Sequence, residues 1–500
     1  MEAAMMSLRT ATWSGLALLV QGCANVGTLS TEACGNLAVY TFFGEGAEDY
    51  AGYWVTSAGD VDGDGLDDVL IGAYDNDENG PGAGAAYLIL GQSLNGPATQ
   101  SIARADYKFL GEASGDYAGI MVASAGDIDN DGLDDLLIGA YGTEDKGAIT
   151  GRAYIVLARS LGQERTIDLT HADFTFVGEA AEDYAGYAVA KGGDIDGDGR
   201  ADVLIAASGH GAGGENAGAT YVFLGKNLVE GTTVEMADAD YKLYGEHDLA
   251  WSGHNISGDG DVDGDGLDDI FIGATGDDGG TDAYASYLFL GRNLGPGRVI
   301  GLSQADYKLI GEDPYDYASQ VSIAGDLDGD GRDDLVVGAG GRDAGGDSAG
   351  AAYVVLARSL GDTRLFDLAE ADYVFLGEGS DDYAGGTVGP AGDVDGDGLD
   401  DFMIGALYYN GDYPNQGAAY LILGKSLGGD REIDLAQADL RFAASRRDQY
   451  LGHSVFTAGD VDGDGLDDML VGSWAGPNWT GAAYLVTGAA VVGQSCSASD

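Results

Sequence analysis

Seven copies of the nonapeptide DxDxDGxxD run through this chain, each placing carboxylates at positions 1, 3, 5 and 9 and a main-chain carbonyl at position 7. Alternate carboxylates on a tight loop converge on one point, glycine at position 6 permits the sharp turn, and hard oxygen donors at this spacing suit Ca²⁺. The donor sets are Asp60, Asp62, Asp64, Leu66 and Asp68, then Asp127, Asp129, Asp131, Leu133 and Asp135, then Asp194, Asp196, Asp198, Arg200 and Asp202. The fourth and fifth are Asp261, Asp263, Asp265, Leu267 and Asp269, and Asp326, Asp328, Asp330, Arg332 and Asp334. The last two are Asp393, Asp395, Asp397, Leu399 and Asp401, and Asp460, Asp462, Asp464, Leu466 and Asp468. Up to seven Ca²⁺ ions are expected.

An EF-hand loop closes with Glu at position 12. Here that position holds apolar residues such as Ile71, Ile138 and Ile404, so closure falls to the ninth residue. A dockerin, whose two loops sit close together on helices, fits no better. The eighth residue is Asp in six copies and Ala201 in the third, and reads as additional charge and not as a ligand. Any one copy could be a solvated acidic turn, because Asp and Gly dominate turns; seven in register favour the cation. Two unit charges 4 Å apart repel by about 4 kcal/mol at an effective dielectric of about 20, so the loops need a counter-ion.

The copies lie 67, 67, 67, 65, 67 and 67 residues apart, which makes each part of one repeating unit. Around each lie four short apolar runs separated by glycine, the pattern of strands and turns: in the second unit GIMVASAG, LLIGAY, GRAYIVLA and DFTFVGE. Four strands repeated seven times at this length predict an all-β, seven-bladed β-propeller of four-stranded blades. A fourth-strand copy at Tyr40 precedes the first unit, while the last unit stops after its third strand at Gly488. The N-terminal strand is therefore expected to complete the last blade, so that no edge is left by a missing strand.

The Tyr-Ala-Gly element at 50–52, the aspartate loop and the Ile-Gly-Ala-Tyr at 71–74 resemble the FG-GAP repeat of the integrin α-subunit head. The resemblance covers about 37–488. It implies that the calcium loops join strands 1 and 2 of a blade, on the face opposite the main ligand face. This chain departs in carrying the loop in all seven units, where integrins keep it in only some. The later integrin domains, a membrane helix and a cytoplasmic tail are not recognisable, so integrin signalling is not carried over.

The formal net charge of −61 repels nucleic acid and excludes that class of partner. Apolar content of 45% in strand periodicity is enough for a core despite 87 glycines. Residues 1–22 read as a leader: after Arg9, Ala11 to Gly22 is an apolar run too short to span a membrane and ends in Leu-Val-Gln-Gly-Cys. This resembles a bacterial lipoprotein signal with Cys23 as the acylated residue, although Gln21 is unusual there and Glu2 weakens the basic start. Ordinary secretion is the alternative. Residues 23–36 become a tether, 37–488 the propeller and 489–500 a tail. Cys34 and Cys496 flank the repeat array and are expected to pair as a disulfide in an exported protein.

Catalytic signals are poor. The five histidines share no common repeat position, although His254 and His453 share one, and His247 and His254 lie in the unit where DYAG becomes LAWSG. The connections between strands 4 and 1 are nearly uniform, so Tyr50, Tyr117, Tyr184, Tyr317 and Tyr383 read as structural. Those between strands 2 and 3 vary, and aromatics gather in neighbouring units as Tyr408, Tyr409, Tyr413, Trp474, Trp479 and Tyr74. Such a cluster suits recognition of protein or glycan; packing between loops is the alternative. The expectation is an exported, surface-anchored or secreted, calcium-binding module for binding or adhesion. A calcium-dependent, lyase-like polysaccharide enzyme or a structural envelope protein are the competing classes.

Overall fold

The glycine-bounded apolar runs become strands, and the tight 67-residue register stacks them into blades around a central channel. The computed structural model describes residues 18–22 and 39–488, except 146, 277–283, 296 and 314. Among these residues the only helices are short 3₁₀ turns, and seven five-stranded sheets carry the fold. Blade 1 comprises Val55–Gly59, Asp68–Ala73, Ala85–Ile89 and Tyr107–Leu110, with Val55–Gly59 innermost. The four are antiparallel, as Ile71 faces Val55 and Tyr87 in register.

Second strands such as Asp68–Ala73 are buried at every residue because both faces meet neighbouring blades. Third strands each present a Tyr to the core: Tyr87, Tyr154, Tyr221, Tyr353, Tyr420 and Tyr484 are among the largest fully buried side chains. Their hydroxyls need partners there. Tyr87 donates to Glu45 at 2.8 Å, Tyr154 to Glu112 at 3.0 Å, Tyr221 to Glu179 at 3.2 Å and Tyr420 to Glu378 at 2.8 Å, each glutamate following the fourth strand of the preceding blade.

Ring closure follows the sequence expectation. Val39–Phe43 pairs antiparallel with Ala482–Val486, Val39 opposite Val486 and Phe43 opposite Ala482. A fifth, parallel strand outside each fourth strand is what the repeat pattern did not reveal. Thr99–Ser101 covers Val39–Phe43, and Thr166–Asp168 covers Tyr107–Leu110, each drawn from the connector of the following blade. Blade 6 differs: its fourth strand, Leu440–Ala444, pairs antiparallel with Leu18–Gly22 from the stretch read as a leader. Cys23, Cys34 and Cys496 lie outside the described residues.

Candidate metal loops and the aromatic face

Every aspartate loop joins the first strand of a blade to the second, as the resemblance implies; the ninth residue opens the second strand in five blades and immediately precedes it, as Asp269 and Asp334, in the other two. In the first loop Asp60 organises the turn: its carboxylate accepts main-chain N–H groups of Gly63 at 2.8 Å, Asp64 at 3.1 Å and Gly65 at 3.0 Å. Asp64 accepts from Leu66 at 2.9 Å. Asp68 is fully buried and accepts from Val61 at 3.0 Å and from Gly91, which opens the turn after the third strand, at 2.8 Å. The same bonds recur around Asp261 and Asp460.

Carboxylate oxygens of Asp60, Asp62 and Asp64 lie within 4.8 Å of one another, as do those of Asp127, Asp129 and Asp135, and of Asp326, Asp328 and Asp334. Burial, together with the neighbouring loop carboxylates, pushes the Asp68 carboxyl up to about 7 and that of Asp269 up to about 8, against main-chain hydrogen bonds that lower both. An all-oxygen set of this density is compatible with a divalent cation. Lys226, reaching from the turn after the third strand, pairs with Asp196 and lies 3.5 Å from Asp198; Arg159, Arg292, Arg358 and Lys425 reach Asp129, Asp263, Asp328 and Asp395 in the same way, and Gln92 reaches Asp62. The sequence reading had not linked these side chains to the loops.

The eighth residue does more than add charge. Its carboxylate accepts the main-chain N–H of the first loop residue in the preceding blade: Asp134 from Asp60 at 3.1 Å, Asp333 from Asp261 at 2.7 Å, Asp400 from Asp326 at 2.8 Å and Asp467 from Asp393 at 2.9 Å. Asp67 accepts from Asp460 at 2.9 Å and closes the circle. The main chains answer with a return bond, Asp67 N–H to Asp460 carbonyl at 3.1 Å. At the seam between blades 2 and 3 Ala201 keeps only the return bond to Asp127, at 3.4 Å. These carboxylates line the channel mouth, a cavity of about 480 Å³ that also holds Lys191. Burial opposes the Lys191 charge, but Asp259 at 2.8 Å, Asp134 and Asp268 hold its pKa above the usual lysine value.

The connections between strands 2 and 3 and between strands 4 and 1 meet on the opposite face, where Gly84 bridges Ala118 and Gly417 bridges Leu451. Gly84 sits at φ +80°, and a Cβ there would strike the Ala118 main chain, which is why the third strand opens with glycine. Seven aromatic residues occupy one register position on this face: Tyr50, Tyr117, Tyr184, Trp251, Tyr317, Tyr383 and Tyr450. All seven are left-handed, with φ between 46° and 58°. Side chains of this size pay roughly 1 kcal/mol or more for that backbone.

The rings of the six tyrosines interleave with those of the variable loops. Centroid distances run from Tyr184 to Tyr141 (6.2 Å), Tyr117 (5.3 Å), Tyr74 (6.1 Å) and Tyr50 (5.3 Å), then to Trp474 (5.7 Å) and Tyr450 (5.0 Å). The path continues to Tyr408 (5.7 Å), Tyr383 (5.9 Å), Tyr317 (6.2 Å) and Tyr284 (4.7 Å). Trp479 (39% exposed), Tyr408 (38%) and Tyr413 (45%) reach solvent, while Trp474 and Tyr74 are half-buried within the stack.

Two expectations change here. Tyr409 does not belong to the exposed face: it is buried, accepts from Arg441 at 2.8 Å and packs edge-on against Tyr420, because the chain turns inward immediately after Tyr408. The tyrosines of the uniform connections are not separable from the variable cluster, since the two sets stack alternately. Below them His254 and His453 line a cavity of about 100 Å³ with Tyr53 and Tyr187. Tyr187 bonds His254 Nε2 at 2.9 Å, and His453 Nδ1 lies 3.0 Å from the Tyr53 carbonyl.

The sequence profile of the FG-GAP repeat matches residues 51–89, 121–156, 185–223 and 317–355. In each, the match begins at or before the first strand, includes the aspartate loop and ends in the third strand. The chain is an integrin-α-like FG-GAP propeller. This FG-GAP propeller is 28% identical to integrin alpha pat-2 of Caenorhabditis elegans over 281 residues, 52% of the chain and 20% of the relative. It is 30% identical to integrin alpha-5 of Xenopus laevis over 240 residues, covering 46% and 20%. A match to phosphatidylinositol-glycan-specific phospholipase D of Rattus norvegicus reaches 27% over 218 residues, covering 41% and 24%. The aligned part thus spans about a fifth of the length of these integrins. No helix among the described residues is long and apolar enough to cross a membrane.

Proposed function

We propose that this FG-GAP propeller is a calcium-rigidified binding or adhesion module displayed outside the cell, anchored through a lipid on Cys23 or secreted. Calcium would be held by the first, third, fifth and ninth loop carboxylates with the seventh carbonyl, neutralising charge that burial makes costly. Recognition of a protein or glycan falls to the opposite face. The observation that carries this reading is the arc of stacked aromatic rings from Tyr184 round to Tyr284, six of them at the strained left-handed register position, with Trp479 and Tyr408 exposed at its rim. Trp474 adds an indole Nε1 that is buried and without a hydrogen-bond partner among the described residues.

A polysaccharide-active enzyme would need a cleft with converging polar groups. The His254 and His453 chamber, at about 100 Å³, holds roughly three waters, and in the polar cavity of about 630 Å³ beside Asp313, Asp316, Tyr317 and Arg342 the guanidinium is already paired with Glu312 at 2.9 Å, so the binding reading is preferred. The test is an array of glycans and surface proteins probed with the propeller in calcium and in chelator. A specific ligand lost in the Tyr408→Ala, Trp479→Ala double variant, with melting and metal content little changed, supports the reading; a ligand retained by that variant refutes the assignment to this face.

A further inference from the structure

In six blades the fifth strand is a segment of three or four residues from the following connector, and a buried Ile102, Leu169, Met236, Leu302, Leu368 or Leu435 comes straight after it. Among the described residues blade 6 has no such parallel segment. The register places its counterpart at 32–34, a Glu-Ala-Cys sequence followed by Gly35 where the others have the buried apolar residue. The edge is instead occupied, in the opposite direction, by Leu18–Gly22. Elsewhere the residue after the tyrosine of the fourth strand sends its N–H outward to the connector: Thr41 to Ala98, Lys108 to Arg165, Lys242 to Arg298 and Lys308 to Arg364, all at 2.7 Å. Arg441 stands at that register position and faces Gln21, with Ala443 two residues on facing Leu19.

We infer that the edge Leu440–Ala444 is a strand-addition site for an extended apolar segment of another polypeptide, filled in the precursor by Leu18–Gly22 and opened when the leader is removed. Main-chain pairing supplies the affinity of such a site, and alternate side chains its selectivity. The seated segment, Leu-Leu-Val-Gln-Gly, fixes the class of occupant: five residues, antiparallel, largely apolar. A second copy is a poor occupant, since each chain carries a formal charge of −61. The inference rests on the reading of residues 1–22 as a leader, and the intact mass of exported protein tests that reading separately.

The experiment uses the chain from Ala24 onward, whose ring closes through Val39–Phe43 without the leader. A fluorescent peptide of residues 16–22 with added lysines is titrated against it. Saturable one-to-one binding is expected, with amide exchange at Arg441 and Ala443 slowed at least tenfold. The same peptide methylated on alternate main-chain nitrogens should bind at least tenfold more weakly. Equal binding of the methylated peptide overturns strand addition. Absence of binding, with Leu440–Ala444 amides already as protected as those of Tyr107–Leu110, overturns the open edge, and a dimer in sedimentation that excludes the peptide assigns the edge to a second copy instead.

Discussion

Asp67→Ala removes the carboxylate that joins blade 7 to blade 1. Asp67 accepts the Asp460 N–H at 2.9 Å in a half-buried setting, and the return bond at 3.1 Å survives the change. A hydrogen bond to a charged group contributes about 1.5 to 3 kcal/mol, and the orphaned N–H accounts for much of the loss. A ring of about 450 residues has an unfolding entropy near 1 kcal/mol per kelvin, so the variant should melt about 2 °C lower. Asp400→Ala breaks the same bond at another seam, Asp326 N–H at 2.8 Å, and should cost as much. Ala201→Asp supplies the missing latch beside Asp127 and Lys191 and should raise melting by about 1 °C. Scanning calorimetry in saturating calcium, with bound metal counted in parallel, is the assay. If both alanine variants and Ala201→Asp leave melting unchanged, the eighth residue is surface charge only; if bound metal falls instead, it is a ligand.

Other perturbations probe other parts of the account. Lys226→Gln removes a resident cation from the third loop and should tighten metal binding there about three- to fivefold in direct titration, within the range of partly exposed ion pairs. His453, pushed down to about 4 by burial despite its bond to the Tyr53 carbonyl, contributes stability that is complete above pH 6.5 and is lost as pH falls toward 4. His453→Phe should therefore flatten the stability profile between those values by up to about 3 kcal/mol. Tyr117, at φ 56°, should tolerate Gly better than Ala by about 1 kcal/mol in denaturant titration, because alanine keeps the left-handed penalty and loses the ring.

Blades were legible because the aspartate loops mark one point in every unit, and that register also foretold ring closure by Val39–Phe43. The fifth strands were not, since triplets such as Thr99–Ser101 are too short and polar to show periodicity. The latch made by the eighth residue joins positions 74 residues apart, as Asp60 and Asp134 do, a relation set by blade packing and not by local pattern. Trp251 and Tyr450 could have been placed with the five tyrosines by following the register through LAWSG and DQYLG. Tyr408 and Tyr409 show the limit of residue type: adjacent tyrosines in one loop end with one ring in solvent and the other bonded to Arg441.

The claim that calcium binds these loops and stabilises the ring is tested most directly by titrating chelator-stripped protein with Ca²⁺ in a calorimeter while recording its melting temperature. Several ions, up to seven, should bind per chain, each addition should raise melting, and Asp64→Ala should remove one site while leaving the others. A chain that binds no calcium at millimolar concentration, or melts at the same temperature with and without it, contradicts the account.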